Sequence, residues 1–136
     1  MQTNLKLAMI MLVLSDSKKP ISSREGMKRC AENVNKLLRI GLNNLSKIIR
    51  ICLLIWKPMI LKKVGELTER NALAMHDTNT HANPPFNYLT NETYTAMDFV
   101  KSLRAQGEKC YFTMDAGPNV KVLCLEEDLE RLTKTF

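Results

Sequence analysis

The sequence predicts an α+β domain in which an antiparallel sheet carries helices packed on one face. Three observations predict it. Residues 111–114 and 120–125 are short apolar runs flanking Asp115-Ala116-Gly117-Pro118-Asn119, the pattern of a β-hairpin. Residues 61–76 and 91–106 repeat their apolar positions with a helical period. An apolar run at residues 5–14 precedes both. Strands interleaved with helices imply a layered sheet-and-helix sandwich.

The elements follow in order. Residues 5–14 are apolar on both faces, which predicts a central strand. The run imitates a short signal-peptide core, but it lacks a small-residue cleavage site and leads directly into Ser15-Asp16-Ser17-Lys18-Lys19. Residues 15–21 form a polar loop. Ser22 and Glu25 stand at capping-box spacing and open a helix that runs to about Glu32. The helix at 61–76 presents Val64, Leu67 and Leu73 on one side and Glu66, Glu69 and Arg70 on the other. Residues 77–87 are rich in Asn, Thr and Pro and read as a loop. The helix at 91–106 carries Tyr94, Met97 and Val100 inward and is closed by Gly107. After the hairpin, residues 126–135 begin a last helix.

Composition excludes several classes. An apolar fraction of 45% and a charged fraction of 25% are ordinary globular values. The four cysteines, Cys30, Cys52, Cys110 and Cys124, form no CxxC pair and have no clustered histidine. That excludes a zinc site and favours reduced thiols, with Cys110 and Cys124 as small buried hydrophobes. Met75, Met97 and Met114 read as core side chains. The net charge of +6 suggests nucleic acid at first sight, but five of those charges come from Lys36, Arg39, Lys47, Arg50 and Lys57 in residues 34–61, which hold no acid. The remainder is nearly neutral with mixed signs, so neither nucleic acid nor a membrane is an expected partner.

Residues 34–61 stand apart. At face value they are a basic amphipathic stretch suited to a membrane surface or a protein partner. Arg50, Lys57 and Pro58 interrupt the apolar run far short of the ~20 residues a membrane span needs.

The turn carries the chemical interest. A carboxylate at the mouth of a tight turn is held on a rigid frame and aimed outward, where a general base can sit. An aspartate that simply caps the turn fits the residues equally well. Gly117 supplies backbone freedom there, and Pro118 fixes its own φ. Ser22 and Ser23 read as helix-capping groups and Arg24 as a solvated first-turn charge. The same helix N-terminus also suits an anion. His76, near the end of its helical run, reads as structural.

Five motifs then occur together: Ala74-Met75-His76, Asn83-Pro84-Pro85-Phe86, Tyr88-Leu89-Thr90, Ala96-Met97-Asp98-Phe99-Val100 and the hairpin around Asp115. In this order and spacing they resemble the C-terminal part of bacterial diphosphomevalonate decarboxylase, a member of the GHMP kinase superfamily. The resemblance covers residues 3–33 and 62–136. It implies a soluble cytoplasmic enzyme of isoprenoid synthesis, commonly a homodimer. Such an enzyme phosphorylates the tertiary 3-hydroxyl of (R)-5-diphosphomevalonate with ATP and Mg2+, then releases phosphate and carbon dioxide to give isopentenyl diphosphate. It implies Asp115 as the catalytic carboxylate and Ser23 and Arg24 as contacts to the substrate diphosphate.

The glycine/serine-rich ATP loop of the family's N-terminal half has no counterpart in these 136 residues. The expectation is therefore a partial C-terminal domain spanning residues 1–136, inactive alone, with neither a cofactor-binding nor a metal-binding residue of its own. Residues 34–61 fall outside the resemblance. Read two bases out of frame, residues 39–64 can encode the acidic amphipathic helix pair that the family carries here, which implies a local frameshift. Two alternatives remain: a related mevalonate-pathway kinase, and a non-catalytic interaction or membrane-surface protein built around residues 34–61.

Overall fold

The computed structural model of the chain describes residues 6–33 and 57–136. The elements are β1 (Leu7–Leu12), α1 (Ser23–Asn33), α2 (Lys57–Thr80), α3 (Asn91–Ala105), β2 (Tyr111–Met114), β3 (Val120–Leu125), a 3-10 turn (Glu126–Asp128) and α4 (Leu129–Thr133). Of residues 34–61, only 57–61 are described, and they open α2. The amphipathic and frameshift readings of that segment otherwise lie outside the described residues.

The three strands form one antiparallel sheet in the order β1-β3-β2. Leu7 pairs with Leu125 and Leu12 with Val120, while Tyr111 pairs with Leu123 and Met114 with Val120. Strand alternation sends Phe112, Met114, Val120, Val122 and Cys124 to one side. There they meet Ala96, Met97, Val100 and Leu103 of α3, Ala72 of α2 and Leu132 of α4 in one buried cluster. The expected α+β architecture, with helices over one sheet face, is the one observed. Cys110 and Cys124 are fully buried, as expected, and burial pushes the Cys110 thiol up to about 11.

β1 departs from expectation. It pairs with β3 alone, so among the described residues it is an edge strand and not a central one. Ala8, Ile10 and Leu12 pack on the core, whereas Leu7, Met9 and Met11 on the other face are exposed. Apolarity on both faces was the sole ground for a central position, and burial follows on one face only.

α2 is longer than its hydrophobic period indicated. Pro58 is accepted in its first turn, where N–H groups have no intrahelical acceptor. At the other end the helix continues through Asp77-Thr78-Asn79 to Thr80. Its buried positions are Ile60, Leu61, Gly65, Ala72, His76 and Asn79, and from Gly65 onward they form a stripe of small and polar residues at helical spacing. Leu73 and Met75 are each 40% exposed, so neither belongs to the core as expected. Tyr94 of α3 is likewise exposed.

The stripe lets α2 lie along the free edge of β2. Gly65 faces the Tyr111 ring, which packs with Leu61 and Leu123. Glu69, expected to face solvent, accepts the Phe112 backbone N–H at 3.1 Å and two bonds from Arg104, at 2.6 and 3.1 Å. Arg104 also donates to the Cys110 carbonyl at 3.0 Å and lies 4.6 Å from the Tyr111 ring centroid. Burial opposes the Arg104 charge and the Glu69 bonds outweigh it, leaving the guanidinium more firmly protonated than usual. A sheet edge is a template for unwanted pairing, and here a helix and an ion pair cover it.

α3 is closed at both ends. Thr90 and Thr93 form a reciprocal capping box. At the far end Gly107, with φ of +100°, donates to the Arg104 carbonyl, and Glu108 donates to that of Leu103. These bonds make the Schellman motif that Gly107 foretold.

Candidate active site

Asp115 lies immediately beyond β2, at the start of the turn into β3. The turn is held from three sides. Gly117 N–H donates to the Asp115 carbonyl at 2.8 Å. The Thr93 hydroxyl, already part of the α3 cap, donates to the Pro118 carbonyl at 2.8 Å. The Asn119 side-chain oxygen accepts the N–H groups of Leu14 and Ser15 at 2.9 and 3.0 Å, tying the turn to the chain leaving β1. The Asp115 side chain remains 74% exposed on this frame and pairs with Lys121.

Gly117 does not supply the left-handed backbone predicted for it. Among the described residues only Gly107 is a positive-φ glycine, so Gly117 is not needed for a left-handed backbone. A Cβ there would meet Lys19 Cε at 3.2 Å, a contact that the flexible end of the lysine can relieve. The Lys19 side chain thus lies over the Asp115 turn. Lys121 pairs with the carboxylate, and Lys19 lies against Gly117 two residues on.

The start of α1 forms the second part of the site. Ser22 Oγ accepts the Glu25 N–H at 3.2 Å, as the capping pattern predicted. The Glu25 carboxylate turns to Arg29 Nε, 2.8 Å away. Ser23 is partly exposed and Arg24 exposed at the mouth of the helix. Neither side chain bonds to Asp115, whose partner is Lys121.

An internal aromatic layer lies behind the start of α1. The Tyr88 hydroxyl donates to the Ser22 carbonyl at 3.1 Å. Gly26 makes that approach possible, because a Cβ there would lie 2.7 Å from the Tyr88 oxygen and 3.1 Å from the Phe86 ring. Tyr88 meets His76 edge-on, with ring centroids 6.2 Å apart. His76 is 3% exposed, and neither ring nitrogen has a hydrogen-bond partner. Leaving a buried donor unpaired costs about 1–3 kcal/mol. Burial holds the His76 pKa below its ordinary value, against the opposing pull of the Asp115 main chain and carboxylate. His76 is therefore a buried residue one turn inside a helix that continues to Thr80, rather than at a helix end.

Asp115, Ser23 and Arg24 are the residues that sequence reasoning singled out. Lys121, Lys19 and Tyr88 were missed, whereas His76, read as structural, is a buried ring. Lys121 was within reach: hairpin register places it opposite Thr113, and Asp115 lies two residues beyond Thr113 on the same strand face. The other two are placed only through tertiary packing.

This arrangement is that of a known domain. The family model for the mevalonate 5-diphosphate decarboxylase C-terminal domain matches residues 9–136. The chain belongs to this family. The mevalonate pyrophosphate decarboxylase of Streptococcus pyogenes is 55% identical and superposes with a TM-score of 0.86, covering 98% of this chain and 42% of that structure. A decarboxylase-family structure, MDDEF in complex with MVAPP, AMPPCP and magnesium, is 41% identical with a TM-score of 0.81, over 95% of this chain and 39% of that one. The diphosphomevalonate decarboxylase of Bos taurus is 28% identical over 131 residues, 90% of this chain. This chain spans about a third of the length of that curated relative, whose matched share is 31%.

Among the described residues no group of three or more His, Cys, Asp or Glu side chains could hold a metal ion. No described helix is long and apolar enough to cross a membrane. A surface concavity lined by Glu66, Glu69, Arg70, Leu73, Ala74 and Asp77 belongs to one face of α2 and includes none of the site residues.

Proposed function

We propose that this chain supplies the C-terminal part of an ATP-dependent diphosphomevalonate decarboxylase that converts (R)-5-diphosphomevalonate to isopentenyl diphosphate, carbon dioxide, ADP and phosphate. One observation carries the reading: an exposed carboxylate, Asp115, on a turn pinned by Thr93 and Asn119, in a domain of this family. ATP with Mg2+ supplies the phosphoryl group when bound, and the described residues offer no donor cluster for the metal. The work of this chain is to position the acceptor and handle its proton.

Asp115 accepts the hydrogen of the tertiary 3-hydroxyl and orients its oxygen for attack. A pinned turn keeps that geometry without reorganisation, as general-base catalysis needs. Lys121 balances the carboxylate until the hydroxyl arrives. Ser23 and Arg24 receive the substrate diphosphate at the mouth of α1. Free N–H groups and the helix dipole favour an anion there, and the guanidinium adds a two-pronged contact. The setting is a cytoplasmic enzyme, assembled as a homodimer. Residues 34–61 are read as the product of a frameshift, and sequencing the coding DNA across residues 30–64 is expected to reveal an insertion or deletion.

The test is a chimera of the Streptococcus pyogenes decarboxylase in which residues 6–33 and 62–136 of this chain replace the matching stretches. ATP-dependent release of carbon dioxide with formation of isopentenyl diphosphate supports the reading. A phosphorylated product that retains its carboxylate contradicts it. Arg24→Ala is expected to raise KM for diphosphomevalonate, and an unchanged KM removes Arg24 from the diphosphate site.

A further inference from the structure

We propose that Tyr88 is a positioning residue for the substrate diphosphate: its hydroxyl fixes the Ser22–Ser23 peptide and so aims the free N–H at the mouth of α1. The proposal rests on the reading of that helix end as the diphosphate site.

Three observations support it. The Tyr88 hydroxyl donates to the Ser22 carbonyl at 3.1 Å, from 66 residues away in sequence. That carbonyl already accepts the Gly26 N–H at 2.9 Å, the first bond of the helix. The helix therefore closes without Tyr88, and a phenylalanine would fill the same buried space. What the hydroxyl adds is a second restraint on one peptide group. Next, Gly26 stands inside α1, where alanine is more favourable. A Cβ there would lie 2.7 Å from the Tyr88 oxygen and 3.1 Å from the Phe86 ring. The unfavourable residue is what lets the hydroxyl reach the carbonyl. Finally, the ring is held from behind. It is 6% exposed and meets Phe86 and His76 edge-on, with centroids 5.3 and 6.2 Å away. The Phe86 N–H donates to the Asn79 carbonyl at 3.1 Å, and the Asn79 side-chain oxygen accepts the Cys30 thiol at 3.3 Å. The loop that carries Tyr88 is thus tied to α2, and α2 to α1.

A peptide group is planar, so a carbonyl held by two donors also fixes the N–H on its other side. For the Ser22 carbonyl that N–H belongs to Ser23. The N–H groups of the first helical turn have no acceptor within the helix, and that of Glu25 is taken by Ser22 Oγ at 3.2 Å. Those of Ser23 and Arg24 remain for an anion, and the Tyr88 bond sets the direction of the first. Tyr88 touches no substrate atom in this role. It reduces the ordering that the helix mouth must undergo when the diphosphate arrives.

The first experiment uses the 136-residue chain and nitrogen-15 amide spectra. Tyr88→Phe removes the hydroxyl and leaves the Ser22 carbonyl bonded to Gly26. It is expected to shift the Ser23 amide resonance while those of Gly107 and Phe112 are unmoved. An unmoved Ser23 amide overturns the proposal. The second experiment uses the chimera. Tyr88→Phe is expected to raise KM for diphosphomevalonate roughly 3- to 10-fold, with kcat and the unfolding midpoint little changed, because the Asp115 turn is untouched. Gly26→Ala crowds the hydroxyl off the carbonyl and is expected to raise KM in the same way. An unchanged KM in both folded variants overturns the positioning role, and so does a fall in kcat at constant KM. Arg24→Ala in the same chimera separates the two readings. If it raises KM and Tyr88→Phe does not, only the positioning role fails. If neither alters KM, the diphosphate lies elsewhere and both readings fail. If Tyr88→Phe alone raises KM, the backbone N–H groups hold the diphosphate without Arg24.

Discussion

Replacing Gly65 with alanine tests how α2 is seated on the sheet, because two physical effects predict opposite signs. In a helix interior, alanine is more favourable than glycine by about 1 kcal/mol. A helix lying free on the surface would gain that amount. Here a Cβ on Gly65 would overlap three atoms of the Tyr111 ring and fall 2.6 Å from Cδ1. Carbon atoms in contact normally sit ~3.5–4.0 Å apart. The ring cannot easily retreat. It is 5% exposed, packed with Leu61 and Leu123, and the Arg104 guanidinium lies 4.6 Å from its centroid. Overpacking of this kind costs ~1–3 kcal/mol or more, and the enclosure of the ring places this case at the upper end. After the propensity gain, the net effect is a loss of about 2 kcal/mol. For a small protein that corresponds to a fall of roughly 1 M in the urea midpoint. The assay is urea unfolding followed by circular dichroism, repeated in a Tyr111→Ala background. With the ring gone, Gly65→Ala is expected to stabilise by up to ~1 kcal/mol. A raised midpoint in the parent chain, or the same sign in both backgrounds, would refute the packing of α2 against β2.

Three further outcomes follow from the same structure. Glu69→Gln removes the charge that balances Arg104 while keeping the side chain's shape. With Arg104 part-exposed at 29%, the loss is about 1–3 kcal/mol, read as a drop in urea midpoint that 0.5 M salt leaves mostly in place. His76 has a folded-state pKa below its ordinary value of 6.5, so the unfolded chain takes up the proton first as pH falls. Its contribution is therefore fully present above about pH 6.5 and is lost on acidification until the folded-state pKa is passed, with a slope of at most ~1.4 kcal/mol per pH unit; His76→Leu is expected to flatten urea midpoints between pH 5 and 7, and an equally steep profile would contradict a buried neutral ring. Thr93→Val removes the hydroxyl that caps α3 and holds Pro118, and is expected to cost ~1–2 kcal/mol and to speed amide exchange in the Asp115 turn, whereas unchanged exchange would mean that Asn119 suffices.

The hairpin was the most legible part of the chain. Alternation at residues 111–114 and the Asp-Ala-Gly-Pro-Asn turn define it locally, and no distant residue alters that pattern. The ends of α3 were legible for the same reason, since Gly107 acts on its own helix. α2 was misread on its faces because the buried stripe uses Gly65, Ala72, His76 and Asn79. Hydropathy gives these little weight, and their burial depends on an aromatic ring and a sheet edge far away in sequence. Glu69 was misread because its partners, Arg104 and the Phe112 N–H, lie 35 and 43 residues away. Of the site, Asp115, Ser23 and Arg24 were found through motifs. The contacts of Tyr88 with the Ser22 carbonyl and with the His76 ring join residues from loop and two helices, and sequence spacing holds no trace of them.

The central claim is that Asp115 does chemistry on a hydroxyl in a decarboxylating enzyme. The most direct measurement is single-turnover carbon dioxide release by the Streptococcus pyogenes chimera, with and without Asp115→Asn, in the presence of ATP and diphosphomevalonate. The account predicts turnover in the parent chimera and a loss of about 10²-fold or more in the variant, with substrate binding and the unfolding midpoint retained. Equal rates in the two proteins would contradict it.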